Sequence, residues 1–207
     1  MPRWGPDAGS RLQQAAMQLY ARRGFEQTTV AEIAARAGLT ERTFFRHFAD
    51  KREVLFAGSE RLEQTIVSAV AAAAPAASPI EAVAAGLTAA GTFFNGERRD
   101  YARKRQAVIG ANAELREREL IKLSSLTSAI ATTLRGRGVP DAAASLTAEA
   151  GMGVFRVAFD RWVDKASDEE WAALVAQTLV DLKKLVATPV HRSDAGAAKS
   201  LAGEPTR

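Results

Sequence analysis

The sequence lacks cysteine altogether and has only two histidines, His47 and His191, which lie far apart in its 207 residues. The absence of cysteine excludes disulfide bonds, thiol nucleophiles and cysteine-ligated zinc or iron–sulfur sites. Two distant histidines also argue against a zinc site or a histidine-based catalytic pair. The sequence therefore predicts no metal site, no cofactor and no enzymatic activity.

Long apolar runs are also missing. The longest uncharged stretch, residues 64–80, is mostly alanine and is interrupted by Pro75 and Pro79. It is too short and too weakly apolar to span a bilayer. The N-terminal residues MPRWGPDAGS lack the apolar segment of a signal peptide. We therefore expect a cytoplasmic protein with no membrane partner.

The charge is small but unevenly distributed. Lys and Arg number 28 against 24 Asp and Glu, which gives a net charge of +4. The first 55 residues hold nine basic and six acidic residues, and so carry +3 of this excess. A basic segment permits an anionic partner such as nucleic acid without requiring one.

Apolar residues recur at helical spacing along the chain, and no segment alternates like a strand of a hairpin. The pattern predicts an all-α fold of about nine helices, with capping boxes at Thr29–Glu32 and Ser78–Glu81. Glycines at 24 and 38 end the first two helices, and Thr40 caps the third. The later helices are predicted at about 51–74 with Asp50 as its cap, 79–94, 97–110, 113–135, 141–164 and 168–187 with Ser167 as its cap.

Helices two and three are each about eight residues long and are joined by Ala37, Gly38 and Leu39. This spacing is typical of a helix-turn-helix, although many plain helix hairpins share it. Phe44 and Phe45 are adjacent, so only one of them can face the core. The other lies exposed among Arg, Thr and His side chains, which indicates a surface that becomes covered.

The run AAMQLYARRGFEQTTVAEIAARAGLTERTFFRHFADKREVL, residues 15–55, resembles the N-terminal domain of TetR-family transcriptional regulators. The motifs GF, TTV, AGL, TFF and HF fall in register over about a quarter of the chain. The resemblance implies a helix-turn-helix DNA-binding domain at 10–55, with a recognition helix at about 40–48, and a helical ligand-binding and dimerisation domain at 56–188. The Pro- and Gly-rich residues 1–9 predict a flexible N-terminus, and the small and polar residues 189–207 predict a disordered tail.

The same resemblance implies which residues contact double-stranded DNA at a palindromic operator. Arg42 would read a guanine, because a guanidinium can bond O6 and N7 together. Phe45 departs from the family, which usually has a phosphate-binding Tyr there, and His47 has the alternative of capping or packing between helices. The implied DNA contacts are Thr28, Thr29, Thr40, Arg42, Thr43, Phe45, Arg46, His47 and Lys51.

In proteins of this family the last two helices usually pair with those of a second copy, so the resemblance implies a homodimer. Apolar stripes on the last two predicted helices suit this role, although such stripes more often form an intramolecular core. The predicted dimerisation residues are Leu146, Ala150, Gly153, Val157, Trp171, Leu174, Val175, Thr178, Leu182 and Leu185.

The resemblance also implies a pocket for an unknown small-molecule effector among the central helices. A weaker similarity, at residues 103–118 and FDRWV, links the chain to actinobacterial regulators related to mycofactocin, some of which respond to acyl-CoA thioesters. Each wall residue has the alternative of belonging to the hydrophobic core. The cationic residues between Arg98 and Arg105 could bind an anionic ligand, or they could form a solvated helix face. The candidate wall residues are Phe93, Phe94, Tyr101, Val108, Leu123, Leu126, Phe155, Phe159 and Trp162.

These features together predict a dimeric repressor that a small-molecule effector releases from its operator. On this hypothesis the effector shifts the tilt of helix four and spreads the two recognition helices. The alternatives are a small helical enzyme, for which no catalytic motif is visible, or a helical interaction module that does not bind DNA.

Overall fold

The computed structural model describes residues 7–164, 166 and 168–187. Over these residues the chain forms nine α-helices and no strand, so the predicted all-α fold is confirmed. Short 3₁₀ turns lie at Glu53–Phe56 and Ala90–Phe93. The helices are α1 (Ala8–Arg23), α2 (Val30–Arg36), α3 (Glu41–His47), α4 (Ser59–Ala72), α5 (Pro79–Ala89), α6 (Gly96–Gly110), α7 (Ala113–Gly136), α8 (Asp141–Val163) and α9 (Trp171–Ala187).

Helices α1–α3 and the first 3₁₀ turn enclose one of two hydrophobic cores. Phe44 is fully buried in it, and Phe56 from the 3₁₀ turn also belongs to it. Ile109 at the end of α6 and Leu115 at the start of α7 complete this core, and both are fully buried. The domain boundary expected after residue 55 therefore falls inside the 3₁₀ turn.

The turn between α2 and α3 depends on Gly38, whose φ of +65° lies in the left-handed region. Its N–H donates to the carbonyl of Ala35, and the N–H of Leu39 donates to that of Ala34 at 2.9 Å. The Arg11 guanidinium on α1 donates to the carbonyls of Ala37 and Gly38. These bonds fix the orientation of α3 relative to α1 and α2.

The prediction of one continuous helix from Lys51 to about Ala74 was wrong over its first part. Asp50 does act as a cap, but it accepts the N–H groups of Arg52 and Glu53 and so begins the 3₁₀ turn. Gly58 then adopts a φ of +89°, and α4 starts only after it. Leu55, inside the predicted helix, lies in the 3₁₀ turn and packs in the first core.

The second core lies between α4, α5, α7, α8 and α9. Helix α5 approaches both α4 and α8 closely at glycines. A Cβ at Gly86 would lie 2.6 Å from Val70, and one at Gly151 would collide with the Val83 side chain. Trp171 joins α9 to this layer, because its indole N–H donates to the Leu87 carbonyl at 2.7 Å.

The remaining helix ends differ from the expected ones by a few residues. Helix α5 ends at Ala89 because the chain tightens into the second 3₁₀ turn, and Asn95 caps α6. Helix α1 begins at Ala8, inside the expected N-terminal lead-in, and α9 begins at Trp171. Ser167, residues 1–6 and the expected tail at 189–207 lie outside the described residues. None of the described helices is long and apolar enough to cross a membrane.

Candidate DNA-binding surface and effector cavity

Helix α3 has one buried side and one exposed side. Phe44 is fully buried, and its ring contacts Phe48 with centroids 5.6 Å apart, whereas Phe45 is 56% exposed. The charged and polar side chains of the helix therefore surround one exposed aromatic ring. The predicted recognition residues that are exposed or half-buried here are Arg42, Thr43, Phe45, Arg46 and His47.

Threonine caps begin both helices of the helix-turn-helix. The Thr40 hydroxyl accepts the N–H of Thr43 at 3.2 Å. Thr29 and Glu32 form the predicted capping box, and the hydrogen bonds from the Thr29 N–H and hydroxyl lower the pKa of Glu32. Thr28 is fully buried, and its hydroxyl donates to the Gly24 carbonyl at 2.8 Å. Its side chain is therefore not available for the predicted phosphate contact.

Lys51 crosses to the loop between α1 and α2. Its ammonium group donates to the carbonyls of Phe25, Glu26 and Thr28 at 3.0–3.2 Å and lies 4.3 Å from the Phe25 ring centre. Three donors on an ammonium group are thus matched by three carbonyl acceptors. In this conformation Lys51 holds the loop that precedes α2.

A cavity of about 930 Å³ lies between the first core and helices α4, α6, α7 and α8. This volume is in the range of small-molecule sites. Leu55 and Phe56 from the DNA-binding side form part of its wall, and so do Leu62 on α4 and Leu120 on α7. The predicted wall residues that do line it are Phe93, Phe94, Tyr101, Leu123, Leu126, Phe155 and Phe159.

Two predicted wall residues are not in the wall. Val108 packs against the first core, because the end of α6 lies against α1. Trp162 is 1% exposed and packs inside the second core beside Phe94 and Phe159. Aromatic and branched side chains at helical spacing do not reveal on which side of a core boundary they lie.

The cavity wall is amphipathic. Burial raises the pKa of Tyr101. Its phenol hydroxyl can donate a hydrogen bond. Gln106 contributes a buried side-chain oxygen, and no donor among the described residues reaches it. Five basic and four acidic side chains share the wall with the apolar ones, namely Arg61, Arg98, Arg105, Lys122, Arg156, Glu60, Glu63, Glu119 and Asp160.

Arg98 and Arg105 belong to the cationic run seen in the sequence, whereas Gln106, Lys122 and Arg156 were not predicted to line a cavity. Their neighbours in the cavity are distant in the chain, so no local pattern could have identified them. Within the same cationic run, Arg103 donates to the Val163 carbonyl at 2.8 Å and does not line the cavity.

The expected dimerisation residues divide into two groups. Trp171, Leu174 and Val175 are buried in the second core, and Thr178 is also buried within the chain, so the prediction for these four was wrong. Leu182 is half-buried against the same core. Leu146, Val157 and Leu185 are exposed, whereas Ala150 and Gly153 are half-buried. Because residues 146, 150, 153 and 157 follow i, i+4, i+7 and i+11 spacing, they form one face of α8.

Among the described residues no group of three or more His, Asp or Glu side chains is placed to hold a metal ion.

Two family models match the chain. Residues 12–57 match the model described as bacterial regulatory proteins, tetR family, and residues 77–187 match the MftR C-terminal domain. The second match alone covers more than half of the chain. The chain belongs to the TetR family. The predicted membership, including the weaker similarity to mycofactocin-related regulators, is therefore confirmed.

A curated TetR-type relative is the HTH-type transcriptional regulator TcmR of Streptomyces glaucescens, which is 32% identical over 79 residues. This match covers 38% of the chain and spans about a third of the relative's own length, at 35%. The shared segment is therefore far shorter than either protein.

Solved TetR-like structures share the fold over most of the chain. A TetR-family regulator from Syntrophomonas wolfei is 16% identical with a TM-score of 0.62, and the match covers 89% of this chain and 98% of that one. FadR from Bacillus subtilis, solved in complex with stearoyl-CoA, is 20% identical with a TM-score of 0.56, over 84% and 96%. At these identities the likeness establishes the TetR fold alone.

Proposed function

We propose that the protein is a homodimeric, DNA-binding transcriptional repressor that a small-molecule effector releases from its operator. The observation that carries the proposal is the exposed side of α3, which combines Arg42, Arg46 and an exposed Phe45 on a helix anchored by buried Phe44. A short helix with these groups fits the major groove, where guanidinium groups read guanine and apolar groups contact thymine methyls. Membership of a family of bacterial regulatory proteins supports the same conclusion.

The proposed dimer uses the exposed apolar face of α8 together with the outer side of α9. Leu146 is 72% exposed, and Val157 on the same face and Val180 on α9 are each 43% exposed. Gly153 lies between Leu146 and Val157 on α8, where a Cβ would meet nothing within 4 Å, so a second helix can approach closely. In a twofold dimer the two α3 helices would lie about 34–36 Å apart, or a small multiple of this, to reach successive major grooves.

We propose that the effector is an amphipathic anion, such as a long-chain acyl thioester. The aromatic and aliphatic wall suits an acyl chain, while Arg61, Arg105 and Lys122 supply cations for an anionic group. Gln106 provides a buried acceptor for an N–H or O–H of the same ligand. FadR of Bacillus subtilis, which has the same fold, has been solved with stearoyl-CoA.

The DNA-binding part of the proposal is tested by titrating labelled DNA from the protein's own promoter region and following fluorescence anisotropy. If about six phosphates are neutralised per bound unit, log K falls with log salt at a slope near −5. Arg42→Ala should abolish or relax the preference for this DNA over random DNA. Lys104→Ala also removes one positive charge, but at an exposed position of α6 outside the helix-turn-helix. It should leave the preference unchanged.

An affinity that does not depend on salt, or equal preferences for Arg42→Ala and the unsubstituted protein, would contradict the proposed reading surface. The effector part is tested separately by adding stearoyl-CoA to the preformed protein–DNA complex. The expected result is dissociation of the DNA at micromolar stearoyl-CoA, with no such effect from CoA alone.

A further inference from the structure

A carboxylate in the DNA-binding domain is held by two cations of the ligand-binding domain. Glu53 lies in the first 3₁₀ turn, and its Oε1 accepts a hydrogen bond from Arg118 at 2.6 Å. Its Oε2 accepts one from Lys122 at 3.2 Å. Arg118 and Lys122 are one turn apart on α7 and therefore share a face. The Glu53 side chain is only 20% exposed, so solvent screens this contact less than a surface ion pair.

A second contact joins the same two parts of the chain. The Arg105 guanidinium on α6 donates to the Leu55 carbonyl at 2.7 Å and lies 5.1 Å from the centre of the Phe56 ring. Its other side pairs with Glu119 on α7 at 3.2 Å. Arg105 therefore connects α6, α7 and the backbone of the 3₁₀ turn.

Arg105 and Lys122 also line the cavity, together with Leu55 and Phe56. Of the three side chains that hold the 3₁₀ turn, Arg105 and Lys122 therefore also face the cavity, whereas Arg118 is not part of its wall. Any anion bound beside them would compete with the Leu55 carbonyl and with Glu53 for the same N–H donors.

The covalent connection cannot maintain the orientation of the turn by itself. Gly58 adopts a φ of +89° between the turn and α4, so no continuous helix runs from the DNA-binding domain into the ligand-binding domain. A tilt of α4 is therefore not transmitted to the DNA-binding domain through a continuous helix. The contacts from α6 and α7, which include the buried Ile109 and Leu115, therefore fix the turn relative to the ligand-binding domain.

We propose that Arg105 and Lys122 are the coupling residues, which hold the DNA-binding domain when the cavity is empty and bind the anionic group of the effector when it is filled. The inference rests on the proposed function, because it assumes that the cavity takes the effector of a DNA-binding regulator. The effector anion and the 3₁₀ turn compete for the same two cations, so effector binding weakens the hold on the turn. The effect is reciprocal, since a turn that is held by DNA binding lowers the affinity for the effector.

The charges of the contact select the class of effector. Glu53 and Glu119 neutralise Lys122 and Arg105 in the effector-free protein, so a neutral ligand has nothing to gain by displacing them. An anion replaces the carboxylates as partner of both cations. Stearoyl-CoA should therefore release DNA, whereas stearyl alcohol, which has a similar tail, should not.

The decisive variant is Glu53→Gln, with Glu114→Gln as the matched control. Glu114 is an exposed carboxylate on α7 that lies 4.0 Å from Arg52 and does not line the cavity. Glu53→Gln should bind stearoyl-CoA about three- to tenfold more tightly, because the effector no longer has to break an ion pair between Lys122 and Glu53. The factor by which saturating stearoyl-CoA lowers the DNA affinity should shrink by a similar amount, while Glu114→Gln keeps the original values of both quantities.

Lys122→Met and hydrogen exchange give two independent readouts. Lys122→Met should weaken stearoyl-CoA binding about tenfold and lower the DNA affinity of the effector-free protein towards its effector-bound value. The backbone amides of residues 53–57 should exchange faster when stearoyl-CoA is bound. If stearoyl-CoA lowers the DNA affinity of Glu53→Gln and of Glu114→Gln by the same factor, the coupling proposal is wrong, although the protein remains an effector-controlled regulator. If the unsubstituted protein binds neither its promoter DNA nor stearoyl-CoA, the proposed function itself has failed.

Discussion

At the scale of single residues, the pair Phe44 and Phe45 shows what a sequence pattern can and cannot determine. Helical spacing requires that one of the two adjacent rings faces outwards, and the structure buries Phe44 and exposes Phe45. The pattern could make this assignment because Phe44 and Phe48 share a face of α3. It could not place Lys51, because the three carbonyls that Lys51 binds belong to a loop 23–26 residues earlier.

Phe45→Tyr should increase DNA affinity, because a hydroxyl on this exposed ring can reach a phosphate as it does in the proteins that the sequence resembles. We expect about a fivefold gain, which corresponds to roughly 1 kcal/mol for a new hydrogen bond. Phe44→Tyr is the matched control and should instead lower the free energy of unfolding by about 1–3 kcal/mol, since it buries an unpaired hydroxyl. Anisotropy titration and urea unfolding measure the two effects, and no gain from Phe45→Tyr would place residue 45 away from the phosphates.

Lys51→Ala should weaken DNA binding for all sequences without changing the salt dependence. The ammonium group already binds three carbonyls, so its loss should loosen the loop before α2 and lower the free energy of unfolding by about 1–3 kcal/mol. A lysine that neutralises a phosphate would behave differently, because its removal makes the slope of log K against log salt shallower by about 0.9. Arg46→Ala provides the comparison and should produce that change in slope with little loss of stability.

At the scale of helices, the caps were predictable and the interruptions were not. Thr29, Thr40 and the box at Ser78 were all confirmed, because a cap depends on residues within one turn of the chain. The break before α4 was missed because Gly58 lies within an otherwise favourable apolar pattern, and only its backbone angle reveals the interruption. The start of α9 was placed three residues early for a similar reason, since Asp168 and Glu170 are acceptable first-turn residues.

Thr29→Ala and Ser78→Ala form a matched pair, since each removes one capping box. Each should lower the free energy of unfolding by about 1 kcal/mol, the usual value of an N-cap. Only Thr29→Ala should also weaken operator binding, because α2 supports the recognition helix through the α2–α3 turn, whereas α5 belongs to the other domain. Equal DNA affinities for the two variants would contradict the view that the α2 cap positions α3.

At the scale of the whole molecule, the sequence identified the all-α fold and the family but not the partner of each apolar stripe. The stripe on α9 resembled a dimer surface, yet Trp171, Leu174 and Val175 pack inside the chain. An apolar stripe indicates only that something covers it, and the covering helix is a property of the tertiary structure. The same limit applies to the cavity, whose wall combines residues from five helices and both 3₁₀ turns.

Leu146→Glu should weaken dimerisation if the outer face of α8 forms the interface. Because a twofold interface contains the substituted residue twice, we expect a loss of about 2 kcal/mol or more, roughly 30-fold in the dissociation constant. Sedimentation velocity over a concentration series measures it, and binding to a palindromic operator should weaken in parallel. Ile121→Glu, which introduces the same charge at an exposed position on α7, should leave the dimer intact. The same sedimentation profile for both variants would place the interface elsewhere.

The fully buried positions of Ile109 and Leu115 in the first core have a consequence for protein engineering. A fragment that ends near residue 57 would expose the surface that these two side chains cover, so it should not fold as an independent module. Chimaeric regulators that join this DNA-binding domain to the ligand-binding domain of another protein would have to include the α6–α7 junction as well. The exchangeable unit of this protein is therefore defined by spatial contacts and is discontinuous along the chain.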